Sequence, residues 1–337
     1  MASYRLNKGG LIDRRTRLSF TFDGRAMTGL AGATLASALL ANGQQLMGRS
    51  FKYHRPHEVI TAGSPEPNAL MTIGRGGRTE PNTRATVQEL YDGLEARSQN
   101  RWPSLDHDIG SLNGLLSPFL GAGFYYKTFM WPGALWEKLY EPFIRKAAGL
   151  GKANFEADPD TYEKCWTHCD LLVIGGGATG LAAALTAARS GARVVIADEN
   201  AVLGGHLLAD AARIDGAAAP EWAEGAVSEL AGMANVEILS RTTIFGWFDG
   251  QVFGGVERVQ KHIASPHENR PVERLWRIVA KLAILATGAE ERPLVLGGND
   301  IPGVMMAPAR CAVISIPTLS RPAGAPPSSR PTTVATH

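Results

Sequence analysis

Cysteine is scarce in this chain. The 337 residues include three cysteines, Cys165, Cys169 and Cys311. So small and odd a number argues against a secreted disulfide framework and favours a reducing, cytoplasmic setting. The spacing of Cys165 and Cys169 is not that of a zinc or redox pair, and no histidine or further cysteine stands at ligand spacing beside them. We therefore predict no metal site.

The chain also lacks a strong excess of charge and an export signal. Lysine and arginine number 34 against 32 aspartates and glutamates, which leaves no electrostatic footprint for nucleic acid. The N-terminus contains no apolar core of signal-peptide length. Residues 171–188 are almost wholly apolar, but three consecutive glycines and the flanking Asp170 and Arg189 argue against a transmembrane helix. We predict neither nucleic acid nor a membrane as a partner.

The same apolar stretch contains the most informative motif of the chain. Residues 170–198 read as strand, glycine turn, helix and second strand, with an acidic residue at the end. Gly175, Gly177 and Gly180 form G-x-G-x-x-G, whose glycines permit a tight turn, a close approach by a pyrophosphate and close helix–strand packing, in that order. The helix N-terminus adds free N–H groups and a positive dipole end. The pattern predicts a Rossmann-like dinucleotide-binding domain.

The acidic end of the motif indicates which dinucleotides fit. Asp198 ends the second strand, where a carboxylate accepts hydrogen bonds from an adenosine ribose. Asp198 and Glu199 together would repel a 2′-phosphate, and Asn200 adds no positive charge, so NAD or FAD fits better than NADP. The spacing leaves NAD and FAD open as alternatives. Residues 281–288 form another apolar strand, as expected for the return strand of a doubly wound α/β domain.

The N-terminal region predicts a second, smaller domain. Residues 17–22 alternate apolar and polar side chains, Asp23-Gly24 is a hairpin signal, and residues 25–28 supply the return strand. A short helix capped by Thr34 follows. Hairpin, helix and long loop resemble the opening of a β-grasp, ferredoxin-like domain. Because residues 1–164 contain no cysteine, we predict no iron–sulfur cluster and a structural or subunit-contact role.

A connector rich in aromatic residues and prolines joins the two domains. We predict that its rings pack and anchor the segment rather than line a flavin or substrate surface. The predicted fold is α/β, a Rossmann-like FAD/NAD(P)-binding domain preceded by a cysteine-less β-grasp domain and this extended connector. The predicted boundaries are 1–90 for the β-grasp domain, 91–169 for the connector, 170–306 for an incomplete dinucleotide domain and 307–337 for an irregular tail. The connector rings are Tyr91, Trp102, Phe119, Phe124, Tyr125, Tyr126, Phe129, Trp131, Trp136, Tyr140 and Phe143.

Several longer blocks carry a family resemblance. GGLIDR, TLASALLANG, GRSFKYHRP, NRWPSL, FYYKTFMWP and ERPLVLGGNDIPGVM resemble the α subunit of heterotetrameric sarcosine oxidase. The resemblance implies a cytoplasmic complex with β, γ and δ subunits. That complex demethylates sarcosine with oxygen to glycine and hydrogen peroxide and passes the one-carbon unit to tetrahydrofolate as 5,10-methylenetetrahydrofolate. It also implies FAD on the β subunit, FMN at the α/β interface and NAD on the α subunit.

The resemblance further implies which residues of this chain contact NAD. Ala178-Thr179 stands where the family usually has Pro-Ala, and His206 stands where a small hydroxyl residue is common. We predict no catalytic residue here, because in that family a flavin on another subunit oxidises sarcosine. The implied cofactor-binding residues are Gly175, Gly177, Thr179, Gly180, Asp198, Glu199, Asn200, His206 and Ile244.

The end of the chain departs from that family. Family members are much longer and carry a C-terminal folate-binding domain, through which tetrahydrofolate would bind. After Met306, prolines, serines and threonines cluster and periodicity fades, so we expect a frameshift near Ala307, with a natural flexible tail as the alternative. The predicted function is the NAD-binding part of such an α subunit, inactive alone. The alternatives are the α subunit of a related amine or opine dehydrogenase, and a non-enzymatic docking fragment for a flavoprotein β subunit.

Overall fold

The computed structural model describes residues 11–118, 121, 123, 131–147 and 149–306. The expected frameshift near Ala307, Cys311 and five connector rings (Phe119, Phe124, Tyr125, Tyr126 and Phe129) lie outside these residues. The strands are β1 (Asp13–Phe22), β2 (Arg25–Ala31), β3 (Gly48–Arg49), β4 (Pro56–His57), β5 (Leu70–Ile73), β6 (Glu80–Arg84), β7 (Leu94–Ser98), β8 (Tyr162–Ile174), β9 (Val194–Ala197), β10 (Arg213–Ile214), β11 (Ala217–Ala218), β12 (Val236–Leu239), β13 (Thr242–Phe248), β14 (Val252–Arg258) and β15 (Glu273–Leu285). The α-helices are α1 (Leu35–Ala41), α2 (Glu141–Ala147), α3 (Ala178–Arg189) and α4 (Ala219–Ala231).

The first module is a five-stranded sheet in the order β2-β1-β7-β5-β6 with α1 packed against it. The predicted hairpin is confirmed, since Asp23 and Gly24 have φ values of 47° and 78°, the left-handed pair that a tight two-residue turn requires. The predicted cap is confirmed too, because the Thr34 hydroxyl accepts a hydrogen bond from the backbone N–H of Ser37 at 3.2 Å. All seven residues of α1 are buried, so this helix is the centre of the module's core.

The first module extends beyond its predicted end at residue 90. Strand β7 pairs in parallel with β1, from Phe20 opposite Leu94 to Phe22 opposite Ala96, and thus lies in the middle of the sheet. The module therefore continues to Ser98. The boundary was placed too early because a strand that returns to the centre of a sheet is defined by long-range pairing, which no local pattern reveals.

The second module is a six-stranded sheet in the order β12-β9-β8-β15-β14-β13. Its first four strands are parallel, and β14 and β13 are antiparallel additions. Strand β15 pairs with β8 from Glu273 opposite Tyr162 to Leu285 opposite Ile174, which confirms the predicted return strand. The same pairing begins this module at Tyr162, before the predicted start at 170.

Two hydrophobic cores pack against the second sheet, one on each face. Helices α3 and α4 cover one face, where Leu181, Ile196 and Leu230 are fully buried, each stabilising the fold by about 1.5–3 kcal/mol. On the other face Phe253 and Trp276 pack over the central strands. The helices therefore lie on one face of the sheet in the described part of the chain, and the carboxyl ends of β8 and β9 meet at one edge beside α3.

The connector differs from its prediction. Trp102, Trp131 and Phe143 are 66%, 83% and 72% exposed, so these rings do not anchor the segment by packing. Tyr91 does pack against the core of the first module. Aromatic density alone therefore did not predict which rings pack.

Candidate dinucleotide-binding site

The glycine turn lies between β8 and α3, at the carboxyl edge of the parallel strands. Gly175 has a φ of 105°, and a Cβ on it would lie 2.4 Å from the Ala286 carbonyl oxygen. A Cβ on Gly180 would lie 1.8 Å from the Gly175 carbonyl oxygen. Both positions therefore exclude any side chain, as the motif predicts for the tight turn and for close helix–strand packing.

Gly177 differs from these two glycines. A Cβ built on it would meet nothing within 4 Å, so its glycine is not required by the packing of the chain itself. Gly177 is also the N-cap of α3, and no side chain caps this helix end. The first N–H groups of α3 thus face a space that a side chain would narrow. This is the geometry that the approach of a phosphate to the backbone requires.

The side chain of Asp198 stabilises the glycine turn. It is 8% exposed, and its Oδ2 accepts a hydrogen bond from the backbone N–H of Gly176 at 2.6 Å. Its Oδ1 accepts from the backbone N–H and the side-chain amide of Asn200, at 2.8 and 3.0 Å. Both carboxylate oxygens therefore have partners within the protein. Asp198 thus fixes the glycine turn with both oxygens, and its role as a ribose acceptor stays a prediction.

Glu199 is the more accessible carboxylate of the acidic pair. Its side chain is half-buried, and Oε1 accepts a hydrogen bond from the Ser64 hydroxyl of the first module at 2.5 Å. Its backbone carbonyl oxygen accepts from the Arg258 guanidinium at 2.6 Å. Burial lowers the pKa of Arg258, while the nearby Glu89 and Glu199 carboxylates raise it. The site therefore contains a carboxylate beside a partly desolvated cation.

The other predicted contact residues fall into two groups. The backbone N–H of Gly204 donates to the Gly176 carbonyl oxygen at 2.8 Å, which brings the exposed His206 close to the turn. Thr179 and Asn200 are likewise exposed at this edge. Ile244 instead packs against the hydrophobic core that contains Phe253 and Trp276. In the described part of the chain, no contact between Ile244 and the glycine turn is found.

Sequence reasoning missed Ser64 and Arg258. Ser64 is separated from Glu199 by 135 positions, and Arg258 by 59. Neither residue belongs to a recognisable motif: Ser64 comes from a loop of the first module, and Arg258 ends strand β14 of the second. Only the fold could reveal them.

No group of three or more potential metal ligands occurs among the described residues. No helix in the same part of the chain is long and apolar enough to cross a membrane.

Two families match the two modules. Residues 15–101 match a family described as a 2Fe-2S iron–sulfur cluster binding domain, and residues 170–266 match the FAD-dependent oxidoreductases. The prediction of no iron–sulfur cluster is contradicted by the first match, since that family binds one. Cysteine thiolates are the usual ligands of such clusters, and the matched residues contain none, so the match assigns the domain while the residues present do not supply those ligands.

The structure has a relative of the same fold. L-proline dehydrogenase from P. horikoshii superposes with a TM-score of 0.57 at 19% identity, over 94% of this chain and 49% of that one. This likeness shows the fold, and the second family match assigns residues 170–266 to a domain of the FAD-dependent oxidoreductases.

The sequence relatives define the family. Sarcosine oxidase subunit alpha of Rhizobium meliloti (strain 1021) is 72% identical over 94% of this chain, and that of Corynebacterium sp. (strain U-96) is 35% identical over 89%. The chain belongs to the sarcosine oxidase α-subunit family. It spans 32% and 26% of the length of these two relatives.

Proposed function

We propose that the glycine turn, the N-terminus of α3 and Glu199 bind the adenosine diphosphate part of a dinucleotide. The observation that supports this most is the contrast between the glycines. Gly175 and Gly180 are required by internal packing, whereas Gly177 borders open space beside uncapped helix N–H groups. In this assignment the phosphates lie at that helix end, Glu199 accepts from the ribose hydroxyls, and Asp198 holds the turn in shape.

The dinucleotide is NAD or FAD. NAD is implied by the family resemblance, and FAD is named in the description of the family that matches residues 170–266. Both share the adenosine ribose that Glu199 would hold. A 2′-phosphate would bring a further negative charge beside the acidic pair, which disfavours NADP.

We propose further that the chain acts within a sarcosine oxidase complex. The names of its relatives support this, and the chain spans about a third of the first of them. The complex would contain β, γ and δ subunits, with FAD and FMN, in the cytoplasm. It would convert sarcosine to glycine, hydrogen peroxide and 5,10-methylenetetrahydrofolate. This chain alone would be inactive, because its contribution is to bind and orient a dinucleotide.

Calorimetric titration of the 337-residue chain with NAD, FAD and NADP tests the binding proposal. We expect saturable binding of NAD or FAD and at least roughly tenfold weaker binding of NADP, because like charges placed together are costly. Whichever of NAD and FAD binds more tightly identifies the dinucleotide. Equal affinity for NADP, or no binding of any of the three, would overturn the proposal.

A further inference from the structure

Ser64 of the first module contacts the predicted ribose end of the site. It lies in the loop between β4 and β5, and its hydroxyl donates to Glu199 Oε1 at 2.5 Å. The contact uses one of the two carboxylate oxygens of Glu199. The hydrogen bond therefore fixes the orientation of the carboxylate without using all of its acceptor capacity.

The loop that presents Ser64 is built around a buried carboxylate. Glu66 is fully buried, and it accepts backbone hydrogen bonds from Ile60 and Thr61, both at 2.8 Å, and from Asn68 at 2.7 Å. The Gly63 carbonyl oxygen accepts from the Thr86 hydroxyl at 2.6 Å. The backbone on both sides of Ser64 is thus held by the module, so the hydroxyl is presented by a fixed loop.

The backbone of Glu199, the partner of Ser64, is held in place as well. Arg258 holds the Glu199 backbone and also donates to the Val87 carbonyl oxygen at 3.4 Å, which ties the two modules together. Close by, Arg241 binds Glu89 through two hydrogen bonds of 2.6 and 2.9 Å. The Ser64–Glu199 contact is therefore one of several hydrogen bonds that join the two modules.

We propose that Ser64 is a positioning residue of the dinucleotide site, through which the first module orients Glu199 toward the adenosine ribose. This inference rests on the proposed function. A carboxylate already held in its binding orientation loses less rotational freedom when the ribose binds. By linkage, the bound dinucleotide strengthens the contact between the modules by the same factor. The first module is thus part of the binding site rather than a separate structural element.

The test is the dinucleotide affinity of Ser64→Ala, measured by calorimetry in the full chain and again in a Glu199→Gln background. We expect Ser64→Ala to weaken binding about two- to tenfold when Glu199 is present. It should have no further effect when Glu199 is replaced. Ser64→Thr, which keeps the hydroxyl, should restore most of the affinity. Arg78→Ala is the matched control. It removes an ion pair with Asp160 that does not involve Glu199, so it should leave the dinucleotide affinity unchanged.

Two results would overturn the inference. One is an unchanged affinity in Ser64→Ala, and the other is an equal loss of affinity in both backgrounds, which would indicate a general effect on folding. Its failure can be told apart from failure of the proposed function. If the unmodified chain binds neither NAD nor FAD, both are wrong. If it binds in a Glu199-dependent way and Ser64→Ala is neutral, only the role of Ser64 is wrong.

Discussion

The replacement Glu58→Gln tests the electrostatics of the first module. Glu58 is 2% exposed, and neither of its carboxylate oxygens has a hydrogen-bond partner among the described residues. Burial raises the pKa of this carboxyl from 4.5 to about 7, and the nearby backbone N–H of Gly303, which falls short of hydrogen-bond geometry, offsets part of that rise. The segment containing Gly303 lies over it, anchored where the Met306 N–H donates to the Ile60 carbonyl oxygen at 2.9 Å.

The direction of the pH effect follows from proton uptake. Between pH 4.5 and about 7 the folded chain keeps a proton on Glu58 that the unfolded chain has released. The free energy of unfolding therefore falls as pH rises through this range and stays low above it. At about 1.4 kcal/mol per pKa unit, the ionised carboxylate lowers stability at pH 8 by about 3 kcal/mol. A neutral amide of the same shape removes this loss.

Urea denaturation of both chains at pH 5 and pH 8 measures the effect. We expect Glu58→Gln to be more stable than the unmodified chain by about 3 kcal/mol at pH 8 and by far less at pH 5. His57, whose pKa burial lowers, is present in both chains and cancels in the difference. Glu66 is the comparison: burial raises its pKa too, but its oxygens accept backbone N–H hydrogen bonds that Glu66→Gln would weaken, so this variant should gain less stability at pH 8 than Glu58→Gln. A stability difference that does not change with pH would show that folding does not raise the pKa of Glu58.

Two further predictions concern the turn and the contact between modules. Gly180→Ala places a Cβ 1.8 Å from the Gly175 carbonyl oxygen and should cost about 3 kcal/mol of stability in urea denaturation. Gly177→Ala should leave the melting temperature nearly unchanged and weaken dinucleotide binding; equal destabilisation by the two variants would contradict this. Arg241→Ala leaves Glu89 without its two hydrogen bonds and should cost about 1–3 kcal/mol, measured in the same way, and no loss would show that the pair does not fasten the modules.

Sequence patterns correctly predicted the turns that depend on the conformation of a few neighbouring residues. Asp23-Gly24 forms the hairpin turn because both residues adopt positive φ, and the spacing of Gly175 and Gly180 matches two positions where a side chain would collide with backbone. The pattern also identified the acidic pair. The motif gives the position of an acid and not the direction of its side chain, so it could not show that Asp198 holds the turn. Adjacent residues at a strand end point in different directions, and here Asp198 turns inward to the Gly176 N–H.

Long-range contacts explain what the sequence did not predict. The strand over Leu94–Ser98 joins the centre of the first sheet by pairing with residues far earlier in the chain. Ser64 reaches Glu199 only because the two modules pack against each other. The exposed Trp102 shows the reverse case, since an aromatic residue predicts packing only when the fold supplies a surface to pack against.

The dinucleotide affinity of Glu199→Gln shows directly whether Glu199 holds the adenosine ribose. If Glu199 holds the adenosine ribose, the loss of its charge should weaken binding by roughly ten- to a hundredfold, the range of a hydrogen bond to a charged group, and should leave the melting temperature nearly unchanged. Glu229→Gln, which alters an exposed carboxylate paired with Arg189, is the control and should bind like the unmodified chain. Unchanged affinity in Glu199→Gln would show that Glu199 does not hold the ribose.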